Sequence, residues 1–323
     1  MNSSASPIFT VNPDPEEIFF GIAYALVSLF LLPLYTVVMV TLYTKDCQKA
    51  NMTYKLMNLI NFFEVGQAIC HLVSSPILVF PVMQVRFDTL IRVFACTINT
   101  FWVAELPLMT ILAVSRIMIF CGHFRADRMH IAVKALEKFT DSDERLHFQT
   151  ALLLVLSWIL FVLLFGCITG NVTFLPPSWG YDEEILYAET FQQLELVLSF
   201  PSLAVSCICY IVMFYIIHVR KKKSSSVSSR KTEVAILIQY TFVTIYMTVL
   251  IILWHKGYVW FDMKNPRLQA IINVSWIACA YLSPVMLLIL NRSIRLECQR
   301  ILGFESKRKT SKNRQTTSVW SNA

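Results

Sequence analysis

The sequence predicts an all-α protein: a bundle of seven transmembrane helices with a short amphipathic cytoplasmic helix after the seventh span. Composition is the first observation behind this. Hydrophobic residues make up 56% of the 323 and charged residues only 15%, and the mean hydropathy is +0.57, so much of the apolar surface must face lipid rather than a protein core. The second is seven apolar runs, at 18–43, 54–80, 90–120, 151–168, 194–219, 233–254 and 268–290, each long enough to cross a hydrocarbon layer about 30 Å thick. The third is charge distribution. Apart from Arg116, 22 of the 28 Lys and Arg residues fall on the loops and helix ends of one side, and Arg86, Arg92, Lys256, Lys264 and Arg267 on the other. The positive-inside rule then places the N-terminus outside and the C-terminus in the cytoplasm, which requires an odd number of spans. The formal charge of +7 therefore reads as topology, not as a nucleic-acid footprint.

Residues 1–17 form a short acidic extracellular tail with a glycosylation sequon at Asn2. They hold no Lys or Arg and no apolar core, so no cleavable signal is expected and the first run serves as its own insertion signal. In the second run Asn58, Asn61, Glu64, Gln67 and His71 recur every three or four residues, one polar stripe that lipid would penalise and that should face the bundle interior. The third run carries Glu105 near its middle and Arg116 toward its end. At about 1.5 Å per residue Glu105 lies ~16 Å from Arg116, and Glu64 lies ~13 Å from Lys55, so the two carboxyls share one depth. They would repel if both were ionised, so one is protonated or they share a cation such as sodium at Glu64. Two readings of Asn61, Glu64, Gln67 and Glu105 stand: a self-satisfied polar knot, or an ion-binding or switching site.

Arg116 is either an anchor at the membrane face or a contact that moves when the bundle signals. The loop 121–149 has five basic and five acidic residues and room for a short helix around 129–139. Trp158 in the fourth run reads as a packing residue. The next loop, 169–192, has no Lys or Arg but holds Asp182, Glu183, Glu184 and Glu189, Pro176, Pro177, Trp179 and Tyr181, and a second sequon at Asn171. It could gate a pocket or attract cations, or be a solvated acidic loop.

The fifth run has Glu195 near its outer end and Pro201 in its body, where a kink is expected. The basic, serine-rich stretch 220–226 could bind anionic lipid, stop translocation or touch a cytoplasmic partner, the first two being the simpler readings, and Glu233 opens the sixth run at the face where Arg116 ends. After the seventh run, residues 291–304 put Ile294, Cys298, Ile301 and Leu302 on one side of a helix lying on the inner leaflet, with Cys298 a palmitoylation candidate. Residues 305–323 are basic and rich in Ser and Thr, a disordered cytoplasmic tail open to phosphorylation. Seven of the nine cysteines lie in or beside spans, which excludes a disulfide-built ectodomain.

Seven spans, Leu112-Ala113-Val114-Ser115-Arg116 toward the end of the third, and Ser283-Pro284 in the seventh with Asn291 seven residues on resemble the rhodopsin-like superfamily of G-protein-coupled receptors. Tyr54-Lys55-Leu56-Met57 ahead of Glu64, and Glu233 leading into Ile236-Leu237-Ile238-Gln239, look most like the class T nematode serpentine chemoreceptors. The resemblance covers 18 to about 303. Arg116 matches the arginine of the Asp/Glu-Arg-Tyr motif, with Ser115 and Ile117 replacing its neighbours. Ser283-Pro284 with Leu287 matches Asn-Pro-x-x-Tyr but keeps only the proline, and Glu64 falls where the superfamily has an aspartate tied to sodium. The sixth run has no proline, and the loop after the fourth has no cysteine for an outer disulfide.

The resemblance implies a plasma-membrane receptor with an external ligand, a heterotrimeric G protein, and a kinase and arrestin acting on the C-terminal tail. It implies no cofactor and no nucleic acid. A ligand pocket in the outer half is expected among His71, Thr97, Asn99, Trp102, Glu195, Tyr246, Asn273 and Trp276. Because Ser115 cannot pair with Arg116, Glu233 is expected to latch it in the resting state, with Ser283 and Pro284 completing the activation switch. An ion-coupled transporter or channel using Glu64 and Glu105 is the alternative, although no inverted repeats are detectable. No His-Glu-x-x-His or Gly-x-Ser-x-Gly occurs, which argues against an enzyme.

Overall fold

The computed structural model describes residues 7–49, 52–122, 144–220, 227–262 and 265–304. Asn2, the expected helix around 129–139 and the tail 305–323 lie outside the described residues. Among the described residues eleven elements carry the fold: α1 (Pro15–Lys49), α2 (Met52–Val79), α3 (Val82–Arg86), α4 (Asp88–Gly122), α5 (Glu144–Thr169), β1 (Val172–Leu175), β2 (Ser178–Tyr181), α6 (Ala188–Arg220), α7 (Val227–Lys256), α8 (Pro266–Leu290) and α9 (Arg292–Ile301). Seven of the helices, α1, α2, α4, α5, α6, α7 and α8, are long and apolar enough to cross a membrane. A bilayer offers no water to unpaired amides, and a helix satisfies them within its own segment.

Most of these helices extend past the expected apolar runs. α7 starts at Val227, six residues before Glu233, because backbone bonding continues beyond the hydrocarbon layer. Helix ends are capped by local chemistry. Asp14 Oδ1 accepts from Glu16 N at 2.9 Å, with Glu16 and Glu17 in the first turn of α1. Asn265 caps α8 ahead of Pro266, the favoured first-turn proline. Asn291 Oδ1 accepts from Ser293 N and Ile294 N to start α9, while Asn291 N closes α8 on Leu287 O. One asparagine thus turns the chain from the seventh span into the amphipathic helix.

α4 is the hub: it packs on α2, α5, α6 and β1, and 61% of its most apolar stretch is buried, against 17% for α5. α5 turns Leu153, Leu154, Leu160, Leu164 and Ile168 outward, as α6 does Val197, Ile208 and Ile211, the apolar rind a lipid-facing bundle needs. α1 and α2 approach closely at Gly21, where a Cβ would stand 3.0 Å from Ser75 O. The N-terminal segment is pinned to the end of α2 by Asn12 N to Val79 O (2.9 Å) and Asn12 Nδ2 to Leu78 O (3.0 Å).

The segment after α5 departs from the expected irregular loop. β1 and β2 pair antiparallel, Val172 opposite Tyr181 and Leu175 opposite Ser178, across Pro176-Pro177. The hairpin is folded in over one end of the bundle: Phe174 is fully buried and Trp179 is nearly so. Polar tethers hold it there. Arg92 Nη1 donates to Gly170 O and Asp182 Oδ2, both at 2.9 Å. Gln84 Nε2 donates to Phe174 O at 2.7 Å, and Tyr24 Oη to Pro177 O at 2.9 Å. Gly170, at φ 63°, makes the left-handed turn out of α5 that a side chain would resist.

Two further expectations need correcting. Asn171, read as a glycosylation site, is 1% exposed, with its Oδ1 3.8 Å from Cys96 Sγ, so this packing leaves no room for a glycan. Cys298, read as an acylation site on the lipid side of α9, is buried with its sulfur 3.1 Å from Thr41 Oγ1. Acylation there would require the α1–α9 contact to open. Ile301 and Leu302 remain exposed.

Candidate functional site: a cavity joined to a buried acid pair

Beneath the hairpin lies a cavity of about 80 Å³. α2 supplies Gln67 and His71, α4 supplies Ile98, Asn99 and Trp102, and α6 supplies Glu195. Trp254 comes from α7, and Asn273 and Trp276 from α8, while Val172, Trp179, Gly180 and Tyr181 close it from the hairpin. Glu195 organises one wall. Its Oε1 accepts from Trp102 Nε1 at 3.1 Å and its Oε2 from Tyr181 Oη at 2.7 Å. Asn99 Nδ2 donates to the same phenol at 3.1 Å, and His255 Nε2 stands 3.8 Å from Glu195 Oε1. Burial, and then the Glu195 charge, hold the Tyr181 phenol well above its ordinary pKa, so it stays a neutral donor. α4, β2, α6 and α7 thus meet at one carboxylate.

The opposite wall is less satisfied. His71 is 5% exposed and its Nδ1 has no hydrogen-bond partner among the described residues. The Trp102 and Trp276 rings meet edge to face at 3.7 Å and 85°, and Trp254 meets Trp276 at 6.3 Å and 82°. Six of the eight residues expected in a pocket therefore share this cavity: His71, Asn99, Trp102, Glu195, Asn273 and Trp276. Thr97 does not, because its hydroxyl turns back to Val93 O at 2.7 Å. Tyr246 does not either, since its hydroxyl bonds Ser275 O at 3.0 Å.

Gln67 joins this cavity to the middle of the bundle. Its Nε2 donates to Glu105 Oε2 at 3.0 Å, and the Glu105 carboxyl is hydrogen-bonded to that of Glu64. Two carboxylates have no donor between them, so this contact requires a proton. Tyr35 Oη is 2.5 Å from Glu64 Oε2 and also bonds Ala280 O. One hydroxyl proton cannot serve two acceptors, which fits a protonated Glu64 donating to Tyr35 while Tyr35 donates to α8. Asn61 is buried, and its Nδ2 has no hydrogen-bond partner among the described residues. Ser283, buried beside Glu64, passes the chain on: its carbonyl accepts from Gln239 Nε2 of α7 at 3.0 Å.

Next to Gln239, Tyr240 lines a small void of about 10 Å³ with Arg116, Leu112, Tyr210, Met213 and Leu237. Arg116 is 5% exposed there, inside the bundle rather than snorkelling outward. Pro284 is buried within α8. Glu233 lies in α7, with its side chain outside the described residues.

Sequence reading placed Trp179 and Tyr181 in a loop that could gate a pocket without assigning them to its lining, and it missed Gly180, Trp254, His255 and Tyr35. The aromatic pair flanking Gly180 just after a Pro-Pro turn was the available signal. No curated protein matches the chain. The family model for the serpentine type 7TM GPCR chemoreceptor Srt matches residues 6–311, and with seven membrane-length helices, five of which line this cavity, the chain belongs to that family of multi-pass membrane chemoreceptors.

Proposed function

We propose that the protein is a chemosensory receptor whose ligand occupies the hairpin-end cavity and whose Arg116 end engages a heterotrimeric G protein. The positive-inside charge pattern supports placing the hairpin outside and Arg116 at the cytoplasm. The observation that carries the reading is Gln67, which lines the cavity and bonds Glu105. A ligand that pulls on the Gln67 amide perturbs the proton shared by Glu105 and Glu64, the Tyr35 contact to α8, and the Gln239 contact between α8 and α7. α7 and α4 then part around Arg116, releasing its latch to Glu233. A single charge-assisted contact of this kind would bias a two-state bundle by about 1–3 kcal/mol. Phosphorylation of the C-terminal tail and arrestin capture belong to the same reading.

The test is a ligand screen in cells carrying a promiscuous G protein. Arg116→Ala should reach the surface and stay silent, and Glu233→Gln should raise basal signalling. A silent Glu233→Gln at normal surface level would remove the latch, and robust coupling by Arg116→Ala would remove the proposed output. Ligand-independent ion flux in reconstituted vesicles would instead favour the transporter alternative.

A further inference from the structure

The cavity walls narrow the chemistry of what they can hold. Their lining includes one carboxylate, Glu195, and no Lys or Arg. Trp102 and Tyr181 occupy two of its acceptor positions, and a carboxylate has about four. Among the described residues, His255 is the one cationisable group within 4.0 Å of it. Trp102 and Trp254 each stand nearly perpendicular to Trp276, and all three indoles line the same space, an arrangement that attracts cations through the ring quadrupole. His71 adds a buried ring nitrogen without a partner.

Resting on the receptor reading above, we propose that the ligand is a small organic ammonium, seated between Glu195 and the indoles of Trp102, Trp254 and Trp276. A cavity near 80 Å³ is about half the size of one that holds benzene, which keeps the ligand smaller than benzene unless the hairpin yields. An anion would face the Glu195 charge. A hydrocarbon would leave the remaining acceptor positions of Glu195 and the His71 Nδ1 desolvated and unfilled, and each such group is costly. A neutral alcohol can donate one hydrogen bond but gains nothing from the indole faces.

The experiment is thermal unfolding of the purified full-length receptor in detergent at pH 7 and fixed ionic strength. The probes are trimethylamine and isobutylamine, both protonated there, against isobutanol and propionate. The amines should raise the unfolding midpoint, following the linkage of binding to stability. Glu195→Gln should weaken that effect at least tenfold and leave isobutanol unchanged. Trp254→Leu should also weaken it, and serves if Glu195→Gln cannot be purified. Absence of any amine effect, equal stabilisation by isobutanol or propionate, or an amine effect that survives both substitutions would overturn the assignment. The two readings separate cleanly. Glu195-dependent amine binding without a G-protein signal keeps the ligand class and defeats the receptor reading. A signal driven by propionate or isobutanol and lost in His71→Leu does the reverse.

Discussion

Two positions, one half-buried and one fully buried, show how little slack the bundle has at the scale of one residue. Gly66 sits where a Cβ would lie 2.3 Å from Phe101 Cε2, and the Phe101 ring is itself held among Phe62 and Phe63. Gly66→Ala is expected to destabilise the receptor by about 1–3 kcal/mol through overpacking, read as a lower unfolding midpoint. Phe101→Ala in the same chain should recover part of the loss, and no recovery would place the strain elsewhere. Tyr35→Phe removes the hydroxyl between Glu64 and Ala280 O and should cost about 1–3 kcal/mol, the penalty of leaving buried polar partners unmade. An unchanged midpoint would mean that the acid pair does not depend on Tyr35. Chain order hid this residue: nothing around position 35 distinguishes its tyrosine from a lipid-facing one.

Elements were unequally legible in the sequence. A spanning helix announces itself over about twenty residues, so all seven were visible from hydropathy alone. The hairpin rests on two strands of four residues, too short for periodicity to register, and its acidic flank drew attention to charge instead. The same limit governs the site. His71, Asn99, Trp102, Glu195, Asn273 and Trp276 stood out as polar or aromatic residues in apolar runs, but Thr97 and Tyr246 stood out equally. Only helix phase, about 100° per residue, separates Thr97 from Ile98 and Asn99, and the absolute phase is set by packing. The hairpin also makes its own prediction. Arg92→Met removes the contacts to Gly170 O and Asp182, so amide exchange across 172–181 should quicken several-fold while α4 stays protected. Equal protection in both proteins would mean that Gln84 and Tyr24 hold the hairpin without it.

Across the whole molecule, polar contacts run from the cavity to the neighbourhood of Arg116 through an otherwise apolar interior: Gln67, Glu105, Glu64, Tyr35, Ser283 and Gln239. Lipid penalises such groups anywhere but inside the bundle, so their continuity is the bundle's most specific feature. Gln67→Leu should separate sensing from output, changing ligand affinity less than tenfold while the maximal G-protein response falls at least tenfold. A full response would mean that the signal crosses by helix packing alone. The lid over the mouth has a practical corollary. The cysteines at 70, 96, 167, 207, 209, 279 and 298 are free thiols, and the lid is fastened by a part-exposed guanidinium–carboxylate pair, Arg92 to Asp182. Dithiothreitol should therefore leave ligand responses untouched, whereas concentrated salt, which screens such pairs, should speed both arrival and escape of the stimulus.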